Sequence, residues 1–387
     1  MLRVLTLASL FPDASRPTFG LFVERQTLGL AARADVAVEV VAPLGLPPWP
    51  LNRHPHYRGR ATLPARESRN GLTVHRPRFP LIPGIGARFH PAAIARVLCP
   101  LLTRIRQDFP FDVIDAQFFF PDGPAAARLA HHFGVPFSIK ARGADIHYWA
   151  TRADTRPQIL AAARAADGLL AVSARMKADV AALGIAADRV RVHHTGVDLD
   201  RFAPADRTAA KAALGLSGPV IATVGALIPR KGQDIVIDAM VDIADASLLL
   251  VGDGPDRRLL EARAARFGSR IRFLGNRPHT ALPALLAAAD VMALPSASEG
   301  LANVWIEALA CGTPIVITDV GGAREVLDDD SAGRIVARTP GAIAAAITAL
   351  LAAPPDKNAV RRVAERFTWQ RNSATLFDHL STLAGRH

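Results

Sequence analysis

One segment, residues 290–318 (DVMALPSASEGLANVWIEALACGTPIVIT), constrains the fold more than any other. Residues 290–294 form an apolar run that reads as a buried strand, and 296–300 carry turn chemistry. Residues 303–310 place apolar side chains at helical spacing, Gly312 ends the helix, and 314–318 read as the next strand. Strand, turn, helix and strand in such short order are the unit of a parallel sheet. Two acids punctuate it: Glu299 in the turn and Glu307 inside the helix, with seven residues between them. The helix is expected to start near residues 301–303, with its unpaired N–H groups facing the crevice at the strand's carboxyl end. That is a ready anion site. Glu307 lies about one and a half turns further in, so one carboxylate can meet the reacting end of a ligand and the other a hydroxyl-bearing part. The structural alternative is a surface-loop glutamate and an ordinary helix glutamate.

A second segment, residues 223–234 (TVGALIPRKGQD), has the same grammar. A strand at 220–224 ends at Gly225, and the turn carries Arg230, Lys231 and Gly232 before a helix. Adjacent cations suit a diphosphate, because arginine forks across two oxygens and lysine acts as a mobile point charge. A solvated turn is the plain alternative. In a doubly wound sheet, however, such turns line one crevice.

The alternation runs the length of the chain, so the predicted fold class is α/β. Strands are expected at 4–8, 36–42, 73–76, 113–116, 137–140, 169–172 and 190–193 in the first half. In the second they are expected at 220–224, 248–251, 271–273, 291–294, 315–318 and 334–336. Helices at 22–32, 92–106, 124–133, 159–165 and 174–183 would cover parallel sheets on both faces. Residues 43–71, rich in Pro, Arg and His and without periodicity, read as a long loop. The 387 residues suffice for two domains, divided near 195–205, each with its own core. The first eleven residues read as an opening strand, since their apolar run is short and no cleavage pattern follows. With only two cysteines, Cys99 and Cys311, a disulfide framework is not expected, and a reducing cytoplasm fits.

The formal charge of +11 is unevenly spread. Between residues 51 and 107 there are eleven arginines and one acid, Glu67, which suggests an anionic partner. Stacking aromatics or a recognisable motif would be needed for nucleic acid, and neither is present. An anionic membrane surface or a polyphosphate lipid remains, with an arginine-rich composition spread over a solvated surface as the plain alternative. Residues 86–107 place Phe89, Ile94, Val97, Leu98, Leu101, Leu102 and Ile105 largely on one helical side, with Arg88, Arg96, Arg104 and Arg106 around it. This is the pattern of an interfacial helix or of a helix packed on the first sheet.

Taken together, Glu299-x7-Glu307 with its E-G-x-x-N-V and E-A-x-A-C-G-T-P wording resembles glycosyltransferase family 4. Arg230-Lys231-Gly232, VGDGP at 251–255, GGAREV at 321–326 and Phe367-x-Trp369 match as well. In the first half Pro17-x-x-Gly20-x-Phe22-Val23, Pro121-Asp122-Gly123 and Arg142-Gly143-x-Asp145 resemble the teichuronic-acid-type subset. The resemblance implies two Rossmann-like domains facing across a cleft, the GT-B architecture. Residues 1–195 would bind the acceptor and 196–366 the nucleotide sugar, with the last helix, 367–387, returning to the first domain. It implies a retaining transfer of a sugar from a nucleotide diphosphate sugar to a hydroxyl of a glycan or lipid-linked acceptor. The enzyme would be cytoplasmic, and peripheral at the inner membrane face.

The resemblance also implies roles. Glu299 would sit beside the donor sugar, Glu307 would accept the ribose hydroxyls, and Arg230 and Lys231 would hold the diphosphate in place of a metal. Gly225, Gly300, Leu301, Ala302, Asn303 and Val304 would line the donor, with Gly20 approaching the diphosphate from the first domain. Base recognition is expected around 275–277, including Arg277. Neither Asp198-x-Asp200 nor Asp328–Asp330 is expected to hold a metal, and no cofactor is implied. Where many family members carry His-Gly, this chain has Arg142-Gly143. Arginine stays charged and cannot shuttle a proton near neutral pH, so Arg142 is expected to clamp a phosphate or an anionic acceptor. Asp145, a catalytic candidate beside Glu299, Arg230 and Lys231, is expected to orient the acceptor or the donor's sugar, with an ordinary helix cap as the structural alternative. Competing readings are a sugar-nucleotide epimerase or phosphorylase on the same fold, a catalytically silent subunit, and a two-lobed solute-binding module.

Overall fold

The computed structural model describes residues 1–82 and 86–385, the side chain of His56 excepted; residues 386–387 of the expected last helix lie outside it. The chain divides into two compact units, residues 1–194 with 369–387 and residues 195–368.

The strands of the first unit are β1 (Leu2–Leu7), β2 (Val36–Val41), β3 (Leu44–Leu46), β4 (Arg66–Arg69), β5 (Leu72–His75), β6 (Arg78–Pro80), β7 (Val113–Ala116), β8 (Phe137–Ala141), β9 (Gly168–Ala171) and β10 (Val190–Val192). Eight of them form one sheet in the order β10-β9-β8-β7-β1-β2-β5-β4, parallel except for β4, which runs antiparallel to β5. The order reverses between β1 and β7. Helices Leu21–Ala31, His90–Asp108, Asp122–Phe133, Arg156–Ala165 and Ala174–Ala182 follow strands as crossovers. Val113 to Ala116 and Phe137 to Ala141 are buried throughout, as central parallel strands require.

The last helix, Trp369–Ala384, belongs to this unit. Its buried Asn372, Ser373, Leu376, His379, Leu380 and Leu383 recur at three- and four-residue spacing. Leu376 and Leu380 share a core with Val4, Leu30, Val36, Val113 and Leu170.

Residues 43–71 are not the loop that their composition suggests. They contain β3, a short helix Pro55–Ala61 and β4. Sequence periodicity missed β4 because Arg-Glu-Ser-Arg is an edge strand, where charged residues keep other chains from pairing. The helix over residues 90–108 resolves the earlier ambiguity. Ile94, Leu98, Leu102 and Ile105 are buried, and the helix packs on Asp122–Phe133, so its apolar side is core and not free for a bilayer.

The second unit holds β11 (Val220–Val224), β12 (Ser247–Val251), β13 (Ile271–Gly275), β14 (Val291–Leu294), β15 (Ile315–Ile317) and β16 (Gly333–Ile335). They form a fully parallel sheet in the order β13-β12-β11-β14-β15-β16. Counted in chain order this is 3-2-1-4-5-6, the Rossmann order, and its reversal lies between β11 and β14. Ligands of such sheets bind outside the carboxyl ends of the strands that flank the reversal. Those ends carry the loops with Arg230-Lys231 and with Glu299.

Candidate active site

The two loops of the second unit meet. After β11, Pro229–Lys231 forms a single tight helical turn that ends at Gly232, at φ 74°. A side chain there would lie 2.5 Å from the Pro295 carbonyl oxygen, so glycine is what lets the loop after β14 approach. Ala297 N–H donates to the Arg230 carbonyl at 2.8 Å and joins the loops. Lys231 Nζ then reaches Glu299 Oε1 at 2.5 Å, Ser296 Oγ donates to the same oxygen at 2.6 Å, and Arg230 Nη1 lies 3.5 Å from Oε2. Arg230 also donates to the Ser298 carbonyl. Glu299 is buried while the Arg230 side chain is 45% exposed, so one cation is tied down and the other can still turn.

A second glycine fixes the far side of the Glu299 loop. Gly321 sits at φ 53°, where a Cβ would lie 2.4 Å from the Gly300 oxygen and 2.5 Å from the Glu299 oxygen. Gly322 N–H donates to the Gly300 carbonyl at 2.8 Å. Gly321→Ala is therefore expected to destabilise the chain by about 2 kcal/mol or more, from a strained φ and a backbone clash together. A lowered melting temperature in a thermal scan checks this; a melting temperature matching the parent would show that the loop can give way.

The helix Asn303–Ala310 starts at Ala302 with no side-chain cap and no acid in its first turn. Its leading N–H groups are thus left for a ligand or water. Leu301 and Ala302 are buried beside it. Further along, Glu307 Oε1 meets His279 Nε2 at 2.7 Å. Against a carboxylate that nitrogen must donate. His279 packs edge-on to Phe202, with ring centroids 5.1 Å apart. Burial, with the Glu307 charge nearby, pushes the Cys311 thiol up to about 12 and leaves it inert. Arg277 is exposed on the loop after β13. Two partners here escaped the sequence reading. One is His279, which belongs to no motif, and the other is Arg338, which donates to the Pro295 carbonyl at 2.8 Å and the Pro229 carbonyl at 2.9 Å. Both come from distant segments and carry no local signal.

The aspartate strings have other occupations. Asp198 accepts backbone N–H groups of Asp200 and Arg201, Asp328 pairs with Arg366, and Asp329 accepts from Ser331.

In the first unit, the loops after β1, β7 and β8 gather at the same kind of reversal. Gly20, at φ 74°, precedes helix Leu21–Ala31, and a side chain on it would strike the Leu10 carbonyl at 2.5 Å. The fold of its own loop therefore already demands glycine. Arg142 is half-buried in the unit: its Nε donates to the Gln117 carbonyl at 3.0 Å and its Nη2 to Gln26 Oε1 at 3.1 Å and to Gln117 Oε1. Its guanidinium lies over Phe22 at 4.9 Å and Phe118 at 5.7 Å. Burial lowers its pKa to about 10, so it remains charged at neutral pH. Asp145 accepts the backbone N–H groups of Phe119 at 3.0 Å, Arg142 at 3.1 Å and Gly143 at 2.8 Å. It is 1% exposed, and it fastens the loop after β7 to the loop after β8.

A buried polar chain beneath them was not read from sequence. Lys140 Nζ contacts Gln26 Oε1 at 2.9 Å and His193 Nδ1 at 2.7 Å. His193 Nε2 lies 2.9 Å from the Asn372 carbonyl and must donate to it, so Nδ1 is the acceptor and the ring is neutral. Burial and the neighbouring Lys140 both hold its pKa well below the usual histidine range. Burial likewise depresses Lys140 and raises Asp115 to about 6. His131 and His132, by contrast, are exposed.

Comparison with known proteins places both units. Residues 23–201 match the Glycosyltransferase Family 4 model, and residues 218–353 match the Glycosyl transferases group 1 model. The D-inositol 3-phosphate glycosyltransferases of Mycobacterium bovis and Mycobacterium tuberculosis are 38% identical over 204 residues, 49% of this chain and 42% of theirs. The chain thus aligns with less than half the length of these relatives. Sucrose-phosphate synthase from Thermosynechococcus elongatus superposes with a TM-score of 0.84 at 22% identity, covering 100% of both chains. Anabaena HepE in complex with UDP does so at 0.73 and 21%, covering 99% of this chain and 100% of that one. At such identities the likeness speaks for the fold, two Rossmann-like domains of the GT-B type.

Proposed function

We propose that this chain, built of a Glycosyltransferase Family 4 domain followed by a group 1 glycosyl transferase domain, is a retaining glycosyltransferase. It moves a hexosyl group from a nucleotide diphosphate sugar to an acceptor hydroxyl. The observation that carries this reading is the meeting of Lys231, Arg230 and Glu299 at the order reversal of the second sheet, in front of an uncapped helix. In the reaction the bond from the anomeric carbon to the diphosphate breaks, a bond to the acceptor oxygen forms, and the hydroxyl proton passes to the departing diphosphate. Two tasks follow: stabilising the negative charge that gathers on the diphosphate, and the positive charge that gathers on the sugar. Arg230, Lys231 and the leading amides of Asn303–Ala310 serve the first, and Glu299 serves the second. Fixed cations make a metal unnecessary here. The complexes of Anabaena HepE with UDP-glucose and of Arabidopsis thaliana Starch Synthase IV with ADP, both of this fold, favour a nucleotide sugar as the donor.

On the acceptor side, the half-buried charge of Arg142 favours an anionic or phosphate-bearing acceptor, with Asp145 holding the loops around it. The wording of the first half supports the teichuronic-acid-type subset, acting on a cell-surface glycan or a lipid-linked sugar. The arginine excess of the first unit supports peripheral attachment to an anionic membrane. Among the described residues no helix is long and apolar enough to cross one.

Incubation with a panel of sugar nucleotides, with and without EDTA, tests the reading. Nucleotide release that needs an acceptor and survives EDTA is expected. An epimerised donor, phosphate-dependent sugar release or no turnover with any donor would each overturn it in favour of another activity or a silent subunit.

Glu307→Ala is expected to weaken nucleotide binding while turnover at saturating donor stays within a few fold, because a ribose contact is made alike in ground and transition states. His279→Ala should act in the same direction and less strongly, since it only orients Glu307. Calorimetric titration with free nucleotide decides the point; unchanged affinity in Glu307→Ala would return that residue to an ordinary helix position.

A further inference from the structure

Large apolar side chains that are more than half exposed cluster in one region of the first unit. Of the eight among the described residues, Trp49, Leu51, Ile82 and Phe89 lie between positions 49 and 89. Strand pairing brings them together. Strands β3 and β6 run parallel with Leu46 opposite Pro80, and Leu81 N–H donates to the Leu46 carbonyl at 2.9 Å. The chain therefore leaves both strands at the same end, towards Trp49 on one side and Ile82 on the other. Phe89 joins them at the start of helix His90–Asp108: a Cβ on Gly86 would lie 3.7 Å from the Phe89 ring and 3.9 Å from Ile82 Cβ. Phe79 packs edge-on to His90 with centroids 5.7 Å apart, which holds the end of β6 to that helix.

Cations cover the same tip. Arg53 lies 6.0 Å over the Trp49 ring and Arg88 4.7 Å over the Phe89 ring. Both arginines are exposed, and neither forms an ion pair among the described residues, although Arg88 feels the charge of Asp154, which pairs with Arg152. The one acid of residues 51–107, Glu67, is already taken by buried Arg76. Exposed aromatic and aliphatic side chains gathered in one patch are costly in water, whereas the arginines among them are well hydrated there. Together they suit the boundary between acyl chains and anionic headgroups.

We infer that this tip, Trp49, Leu51, Ile82 and Phe89 with Arg53 and Arg88, docks the first unit on an anionic bilayer surface. It replaces the helix over residues 90–108 as the membrane contact, since that helix spends its apolar side in the core. The inference rests on the membrane reading of the first unit and is independent of the transfer reaction.

Sedimentation of the full-length chain with vesicles of phosphatidylcholine, alone or mixed with phosphatidylglycerol, is the test. Binding to the mixed vesicles, falling as salt rises, is expected. Arg53→Gln with Arg88→Gln should lower partitioning roughly thirtyfold, on the scale of about 1 kcal/mol per arginine near such a surface. Trp49→Ser with Phe89→Ser should lower it with less change in salt dependence. Trp49→Phe should still bind but lose quenching of tryptophan fluorescence by brominated lipid. Arg258→Glu, an exposed change in the second unit, should leave binding unaltered. Salt-sensitive binding that the tip variants leave intact would overturn the tip and keep the membrane reading. No binding to anionic vesicles would overturn both, without touching the donor chemistry.

Discussion

Glu299→Ala is expected to lower turnover at least ~10²-fold, the scale for losing a major electrostatic element of a site. The affinity for the free nucleoside diphosphate should hold or increase. The second half of the expectation comes from the geometry. Lys231 Nζ lies 2.5 Å from Glu299 Oε1 and Arg230 lies 3.5 Å from Oε2. An arriving diphosphate must compete with that carboxylate for both cations, and removing the carboxylate removes the competitor. Steady-state nucleotide release gives the first quantity and calorimetric titration the second. Near-normal turnover would take Glu299 out of the mechanism. Weaker nucleotide binding would mean that the carboxylate is needed to hold the cations in place.

Arg230→Ala with Lys231→Ala should produce the complementary pattern. Affinity for the nucleoside diphosphate falls ~10²-fold or more, since each charge-assisted hydrogen bond is worth roughly 1.5–3 kcal/mol, while affinity for the bare nucleoside changes little. The double variant also leaves buried Glu299 without its cations, which costs stability. The melting temperature is therefore measured alongside, and binding is compared only below it. Lys231 should contribute more than Arg230, because its side chain is 15% exposed against 45% and is less screened by water. Equal losses for nucleoside and nucleoside diphosphate would count against a phosphate role.

Much of this was legible before any coordinates. Periodicity found the strands of both sheets because central parallel strands are apolar along their whole length and are closed by Gly, Pro or Asp. It failed on β3, β4 and β6. The first and last are three residues long and pair with each other, and β4 is an edge strand whose charged residues look like loop. It left residues 90–108 undecided because an apolar stripe does not say what covers it. Only packing against Asp122–Phe133 shows that the stripe faces core. The exposed tip at Trp49 and Phe89 was invisible for the converse reason: it has no period, and strand pairing assembles it.

The site divides along the same line. Residue order alone determined that Arg230-Lys231 and Glu299 each follow a strand and precede a helix, because turn chemistry and helical spacing are local properties. That they touch was decided by sheet order: β11 and β14 are neighbours although sixty-six residues lie between them, and no local pattern encodes that adjacency. The glycines show both levels at once. Gly232 and Gly321 appear in the sequence as turn residues. Only the fold shows that their missing side chains let the Pro295 and Glu299 carbonyls come close. His279 and Arg338 belong wholly to the second level, as a histidine with no motif and an arginine among forty-six basic residues. Each gains its meaning from one distant partner, a carboxylate at 2.7 Å and a carbonyl at 2.8 Å. Contacts of that length depend on three-dimensional closure of the chain, which spacing along it does not specify.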